Sequence, residues 1–221
     1  MENVLLIGAS GGIGSAVREL LIGRGAKVTG LSRSAEGFDI TDENSVERHL
    51  SAFDGPFETI IVASGALEID GAAPEKTIRA VTARAMADQF AVNAIGPALV
   101  LRHAARLLPR RGRSVCAVLT ARVGSIGDNR AGGWTSYRAA KAAANQIVHT
   151  TAIELARTHP DAVCVAYHPG TVATPFTEDY LSRHPSVTPQ EAAENLVDVL
   201  GGLSPDQTGR FFDWDNKEIV W

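Results

Sequence analysis

Tyr137 and Lys141 stand four residues apart in TSYRAAKAAANQ, a stretch whose alanine-rich, apolar pattern reads as the start of a long helix. Residues at i and i+4 share one helix face, so the ammonium lies beside the phenol. A phenol titrates near ~10 and is a poor acid or base at neutral pH. A cation a few ångströms away favours the phenolate and lowers that value. The pair therefore suits proton exchange with a carbonyl or alcohol oxygen. Three tyrosines and four lysines in 221 residues make a chance pairing at this spacing uncommon. The plain alternative is a surface tyrosine beside an ordinary helix lysine.

A second pattern weighs against that alternative. Gly8-Ala9-Ser10-Gly11-Gly12-Ile13-Gly14 follows the apolar run Val4–Ile7 and opens a helical pattern. Glycines let the backbone turn sharply and approach a pyrophosphate. The helix that follows points free N–H groups and its positive dipole end at the phosphates. The spacing is G-x-x-x-G-x-G, which is neither the G-x-G-x-x-G fingerprint nor a P-loop, since no Lys-Ser/Thr pair follows. A tight turn without a ligand needs one glycine, not four in seven residues. Gly8, Ser10, Gly11, Gly12, Ile13 and Gly14 are thus the expected dinucleotide cradle. The next strand-like run ends in Ser32-Arg33. An acid there would take the ribose hydroxyls of NAD, whereas a hydroxyl and a planar cation suit the 2′-phosphate of NADP. Asp39-Ile40 comes next. Asp39 could accept from the adenine amino group, or could serve turn chemistry alone. With a nicotinamide cofactor in place, Tyr137 and Lys141 would move the proton that accompanies a hydride.

The elements that must position these residues alternate along the chain. Strands are expected at 3–7, 27–31, 58–63, 114–119, 162–167 and 210–213. They are short, apolar and without polar alternation, as strands covered on both faces are. Helices are expected at 12–23, from a Thr41 cap to about 53, at 86–108, at 134–158 and from a Thr188-Pro189-Gln190-Glu191 capping box. Strand then helix throughout, with no repeat or linker, gives an α/β fold: a doubly wound Rossmann-type three-layer sandwich with a mainly parallel sheet. One domain over residues 1–221 carries both cofactor and substrate sites. Residues 124–133 form a glycine-rich loop at a strand's carboxyl end, where open parallel sheets bind ligands.

Composition agrees. Hydrophobic residues are 45% and charged residues 21%, a globular balance. No run approaches ~18 apolar residues, which disfavours a membrane span. The net charge is −4, which disfavours nucleic acid and anionic membranes as partners. The six histidines show no metal-ligand spacing, so no metal is expected. Cys116 and Cys164 lie in strand-like runs and read as inert core thiols. MENVLLIGAS lacks a basic leader with a cleavage site, which makes the cytoplasm the expected compartment.

On these residues the chain resembles the short-chain dehydrogenases/reductases over essentially its whole length. Gly8, Gly12 and Gly14 match the family's cofactor glycines. Ala63-Ser64-Gly65 sits where the family has N-A-G. Asn93 in VNAIGP matches its structural and proton-relay asparagine, and Tyr137 and Lys141 match its catalytic pair. Pro169-Gly170, followed by Thr171, Val172 and Thr174, matches the stretch that folds over the nicotinamide. GSIGDNRAGGW, HPGTVATPF and FFDWDNKEIVW are similar to the C-factor-like branch, named for a bacterial cell-to-cell signalling protein. Ile7 stands where the family usually has threonine. The family's serine in S-S-x-x-G falls on Ala121 when counted from the glycine and nearest Ser125 when counted from the tyrosine. Thr120 is a second hydroxyl on that turn. Ser125 or Thr120 is therefore expected to orient the substrate oxygen.

The resemblance implies NADP(H)-dependent reduction of a small-molecule carbonyl, or oxidation of the matching alcohol. Lys141 would also hold the nicotinamide ribose, and Asn93 would order a water. It implies a homodimer or homotetramer through two long helices. The alternative is a catalytically weak nucleotide-binding regulator or signalling protein on the same scaffold. A nucleotide-dependent methyltransferase fits the glycine loop but leaves Tyr137 and Lys141 without a task. His168, Trp134, Arg122 and Arg130 are read as packing or solvated loop residues, and a short lid is expected between Thr174 and Thr188.

Overall fold

The computed structural model describes residues 1–174, 177 and 186–221. In chain order the elements are β1 (Asn3–Ile7), α1 (Gly12–Gly23), β2 (Lys27–Leu31), α2 (Glu43–Ser51), β3 (Thr59–Val62), α3 (Ala83–Phe90), α4 (Gly96–Leu101), α5 (Ala104–Leu107), β4 (Ser114–Leu119), α6 (Thr135–Ala156), β5 (Ala162–His168), α7 (Pro189–Gly202) and β6 (Phe211–Asp213). The described strands form one sheet in the order β2-β1-β3-β4-β5-β6, and every pairing is parallel. Side chains alternate across it. Leu5, Ile7, Ile60, Val62, Cys116 and Val118 face a layer with Val46, Val100, Leu101 and Val148 from α2, α4 and α6. Val4, Leu6, Ile61, Val115, Ala117 and Leu119 face Val17 and Leu21 of α1 and Leu196 and Leu200 of α7. That is the expected three-layer, doubly wound α/β fold. Cys116 and Cys164 are register partners, free and fully buried.

Two helices differ from expectation. Asp42, not Thr41, caps α2 by accepting from Asn44 N. Thr41 is held instead by Asp39, whose Oδ1 accepts from its N–H and its hydroxyl. The helix expected at 86–108 begins at Ala83, capped by the Thr82 hydroxyl, and is broken twice. A π turn spans Ala91–Ile95. Pro97 sits in the first turn of α4 and has no N–H, so it withdraws the donor that an α-helix would aim at the Asn93 carbonyl. Thr188 caps α7 as expected, its hydroxyl accepting from Glu191 N, with Pro189 next. No helix among the described residues is long and apolar enough to cross a membrane.

Candidate active site

The carboxyl ends of β1, β3, β4 and β5 converge on one edge of the sheet. At β1 the chain turns through Gly8, whose φ of 85° favours glycine. Gly8 N and Ala9 N both donate to Leu31 O, tying the loop to the tip of β2. A Cβ on Gly14 would fall against the Gly8 carbonyl, so α1 approaches the loop only with glycine there. The α1 N-cap, Gly11, supplies no side-chain acceptor, and the first turn carries no acid. Its open N–H groups suit an anion, and a pyrophosphate fits this cradle. Thr174 lies against Gly12 and closes the cradle's side, while Ser64 packs on Gly8.

At the β2 tip Ser32 is buried, and its N–H and hydroxyl both donate to the Glu36 carboxylate, at 2.7 and 2.8 Å. Arg33 is exposed. Of the two residues, the arginine is thus the one open to a phosphate. Asp39 serves the Thr41 turn, and those bonds hold its carboxyl below the usual range. Ile40 packs against Gly96 of α4.

The centre of the edge is built around Gly65. A Cβ there would lie 3.1 Å from Asn93 Oδ1 and 3.3 Å from Lys141 Nζ. Asn93 is fully buried; its amide donates to Ala66 O and Gln89 Oε1, and its oxygen accepts from Ala66 N. Lys141 Nζ donates to Leu119 O at 3.1 Å and stands 5.7 Å from the Tyr137 ring centroid. The ammonium and phenol are therefore neighbours on α6, as their spacing requires. Burial dominates both groups. It pushes the Tyr137 phenol up and the Lys141 ammonium down to about 8. The phenol is thus protonated at neutral pH, the form in which it can donate. Burial, rather than the lysine charge, sets the tyrosine in this structure.

The two candidate hydroxyls part company. Ser125 Oγ donates to Val220 O at 2.5 Å and accepts from Asp128 N at 3.0 Å, so it anchors the segment 217–221 to the loop. Thr120 is buried, its N–H donates to Tyr167 O, and its Oγ1 has no hydrogen-bond partner among the described residues. Ala121 is half-buried and brings no hydroxyl. Pro169 follows β5, and Gly170, at φ 78°, packs under Trp214. Val172 is buried and bridges to Val187. Most of the expected lid (175–176 and 178–185) lies outside the described residues. His168 is driven down to about 4 by burial, with Asp213 opposing. Arg122 pairs with Asp128, and the Trp134 ring meets Tyr137 edge-on at 6.2 Å.

Three residues escaped the sequence: Glu36 on Ser32, Gln89 on Asn93, and Glu75. Glu75 is a buried carboxylate that accepts from the N–H and hydroxyl of Ser136. Only Gln89 gave a signal, its i, i+4 spacing to Asn93 on one helical face.

Comparison with known proteins adds to this geometry. A family model described as Enoyl-(Acyl carrier protein) reductase matches residues 8–197. The chain is 33% identical over 239 residues to 1-hydroxy-2-glutathionyl-2-methyl-3-butene dehydrogenase of Rhodococcus sp., covering 100% of both. It is 36% identical over 141 residues to C-signal of Myxococcus xanthus, covering 62% of this chain and 78% of that one. Among solved structures it superimposes on a Burkholderia multivorans chain with bound NADP, assigned to the short-chain dehydrogenases/reductases. The TM-score is 0.84 and the identity 26%, over 100% of this chain and 99% of that one.

Proposed function

The chain belongs to the short-chain dehydrogenase/reductase family, and we propose that it is an NADP(H)-dependent oxidoreductase interconverting a small-molecule carbonyl and its alcohol. The observation that carries this is Tyr137 and Lys141 buried together beside Asn93, at the edge that also holds the glycine cradle. The NADP-bound Burkholderia structure and the exposed Arg33 support the cofactor preference.

The bound cofactor supplies the hydride. Gly8, Ser10, Gly11, Gly12, Ile13 and Gly14 would hold its pyrophosphate, Arg33 its 2′-phosphate, and Ala63–Gly65 its adenosine side. Pro169, Gly170, Val172 and Thr174 would hold its nicotinamide side. Tyr137 Oη gives the proton to the carbonyl oxygen in reduction and takes it back in oxidation. Lys141 steadies the nicotinamide ribose and the phenol. Asn93, whose carbonyl lacks the Pro97 donor, orders a water that returns the proton to Lys141. Thr120 orients the oxygen, because Ser125 is engaged elsewhere. Positioning of this kind is a large share of such catalysis. The Rhodococcus relative's name points to an alcohol carrying a bulky polar substituent as a substrate class.

We extend the reading to a cytoplasmic homo-oligomer. Leu101, Ala105 and Ile147 line a groove of about 570 Å³ between α4, α5 and α6 that a second copy would cover. A second reading, a nucleotide-binding regulator, is favoured by Ala121 and by the likeness to C-signal. Tyr137→Phe separates the two. Turnover should fall by ~10²–10⁴-fold while NADPH affinity is kept. A variant retaining more than about a tenth of the wild-type rate overturns the assignment.

A further inference from the structure

Helix α6 brings Tyr137 to the reaction edge on its first turn, and that turn has no cap of its own. Its N-cap, Trp134, offers no side-chain acceptor and stands at φ 54°, ψ 36°, a left-handed conformation that a bulky residue rarely adopts. Gly132 and Gly133 before it also have positive φ. Such a start needs support from outside the helix.

Glu75 supplies it at three points. Its carbonyl accepts from Trp134 N at 2.5 Å, which holds the left-handed residue in place. Its carboxylate accepts from Ser136 N at 3.2 Å and from the Ser136 hydroxyl. Glu75 is 8% exposed and lines the same small cavity as Tyr137 and Ser136. Burial pushes its carboxyl up, but the bonds from Ser136 and the backbone outweigh this and hold it below the usual range. An ionised carboxylate at the N-terminus of a 22-residue helix also meets the positive end of the helix dipole. A buried carboxylate is costly unless it is bonded this way, and no ligand is needed to explain it.

We propose that Glu75 is a positioning residue: from the segment before α3 it caps helix α6 and fixes where Tyr137 stands. The proposal rests on the reading of Tyr137 as the proton-transfer group. Both of its carboxylate oxygens are taken by Ser136, so it acts through the start of the helix.

Glu75→Ala, Glu75→Gln and Ser136→Ala test it, with amide hydrogen exchange read beside turnover and NADPH titration. In Glu75→Ala the amides of residues 136–138 should exchange about tenfold faster while the rest of α6 is unchanged, as loss of a cap allows. Its kcat should fall by about 10–100-fold with the NADPH Kd within about twofold, since small misplacement of a reacting group has that cost. Glu75→Gln, whose amide oxygen still accepts from Ser136, should keep both readouts within about threefold. Ser136→Ala should fall between the two, and carries the test if Glu75→Ala does not fold. Unchanged exchange at the start of α6 in Glu75→Ala overturns the proposal. So does a Glu75→Gln variant as damaged as Glu75→Ala, or a kcat loss matched by equal loss of NADPH affinity. Failure of the wild type to reduce any carbonyl would instead remove the reading of Tyr137, and the exchange arm would still decide whether Glu75 holds the helix.

Discussion

The cofactor cradle and the reaction edge lie side by side but are made of different material. The cradle is backbone: Gly8 at positive φ, the open N–H groups of α1, and Gly14 pressed on the Gly8 carbonyl. The reaction edge is side chains, and several are held by partners far away in sequence. Glu75 reaches Ser136 across 61 residues, Val220 reaches Ser125 across 95, and Asn93 holds Ala66 across 27. A cradle of backbone tolerates no added atoms, whereas an edge of side chains tolerates any change that keeps the hydrogen bonds. The two regions should therefore fail differently.

After Tyr137→Phe, the largest effect is expected in the cradle. Gly14→Ala places a methyl on the Gly8 carbonyl and should weaken NADPH binding by about 100-fold or more, from overpacking of a few kcal/mol. Affinity within about tenfold of wild type would show that the loop is softer than its geometry. At the reaction edge, Thr120→Val should lower kcat by about 10–100-fold, less than the ~10²–10³ lost with an oxyanion-hole donor, because Tyr137 still bonds the same oxygen. Ser125→Ala should leave kcat nearly unchanged and lower Tm by about 2–4 °C, the worth of about one hydrogen bond to the 217–221 segment. The reverse pattern would return the oxygen-orienting role to Ser125. Arg33→Ala should weaken NADPH about tenfold and leave NADH alone, since one charge-assisted contact is lost. Equal loss for both cofactors would show that the arginine shapes the strand tip.

A further effect concerns pH. His168, driven down to about 4 from 6.5 by burial, is neutral in the folded chain where the unfolded chain binds a proton. Its share of stability is present above about 6.5 and is lost as pH falls towards 4, on the order of 3 kcal/mol. Denaturant titrations of wild type and His168→Gln should diverge over that window. Parallel curves would mean that water reaches the imidazole.

The same division explains what the sequence disclosed. The cradle, all six strand positions to within a residue, and the Tyr137–Lys141 pair are patterns of a few neighbouring residues, so local spacing carries them. The break in the 86–108 helix hid inside an apolar run. Pro97 was visible there, but the bonds from Asn93 to Ala66 and Gln89 that accompany the π turn at 91–95 were not. Ser125 looked catalytic because its hydroxyl sits near the right count from Tyr137. Its bond to Val220 exists only once β6 has brought the end of the chain back to the loop. Glu75 had no local pattern at all. Thr41 looked like a cap until Asp39 took both its donors.

Equilibrium titration of the purified wild-type chain with NADPH and with NADH, followed by tryptophan fluorescence, tests the central claim most directly. The account predicts saturable NADPH binding at least about tenfold tighter than NADH, about one charge-assisted contact, because the cradle takes the pyrophosphate of both and Arg33 meets only one. Binding of neither cofactor would contradict the account at its base, whatever Tyr137 and Lys141 suggest.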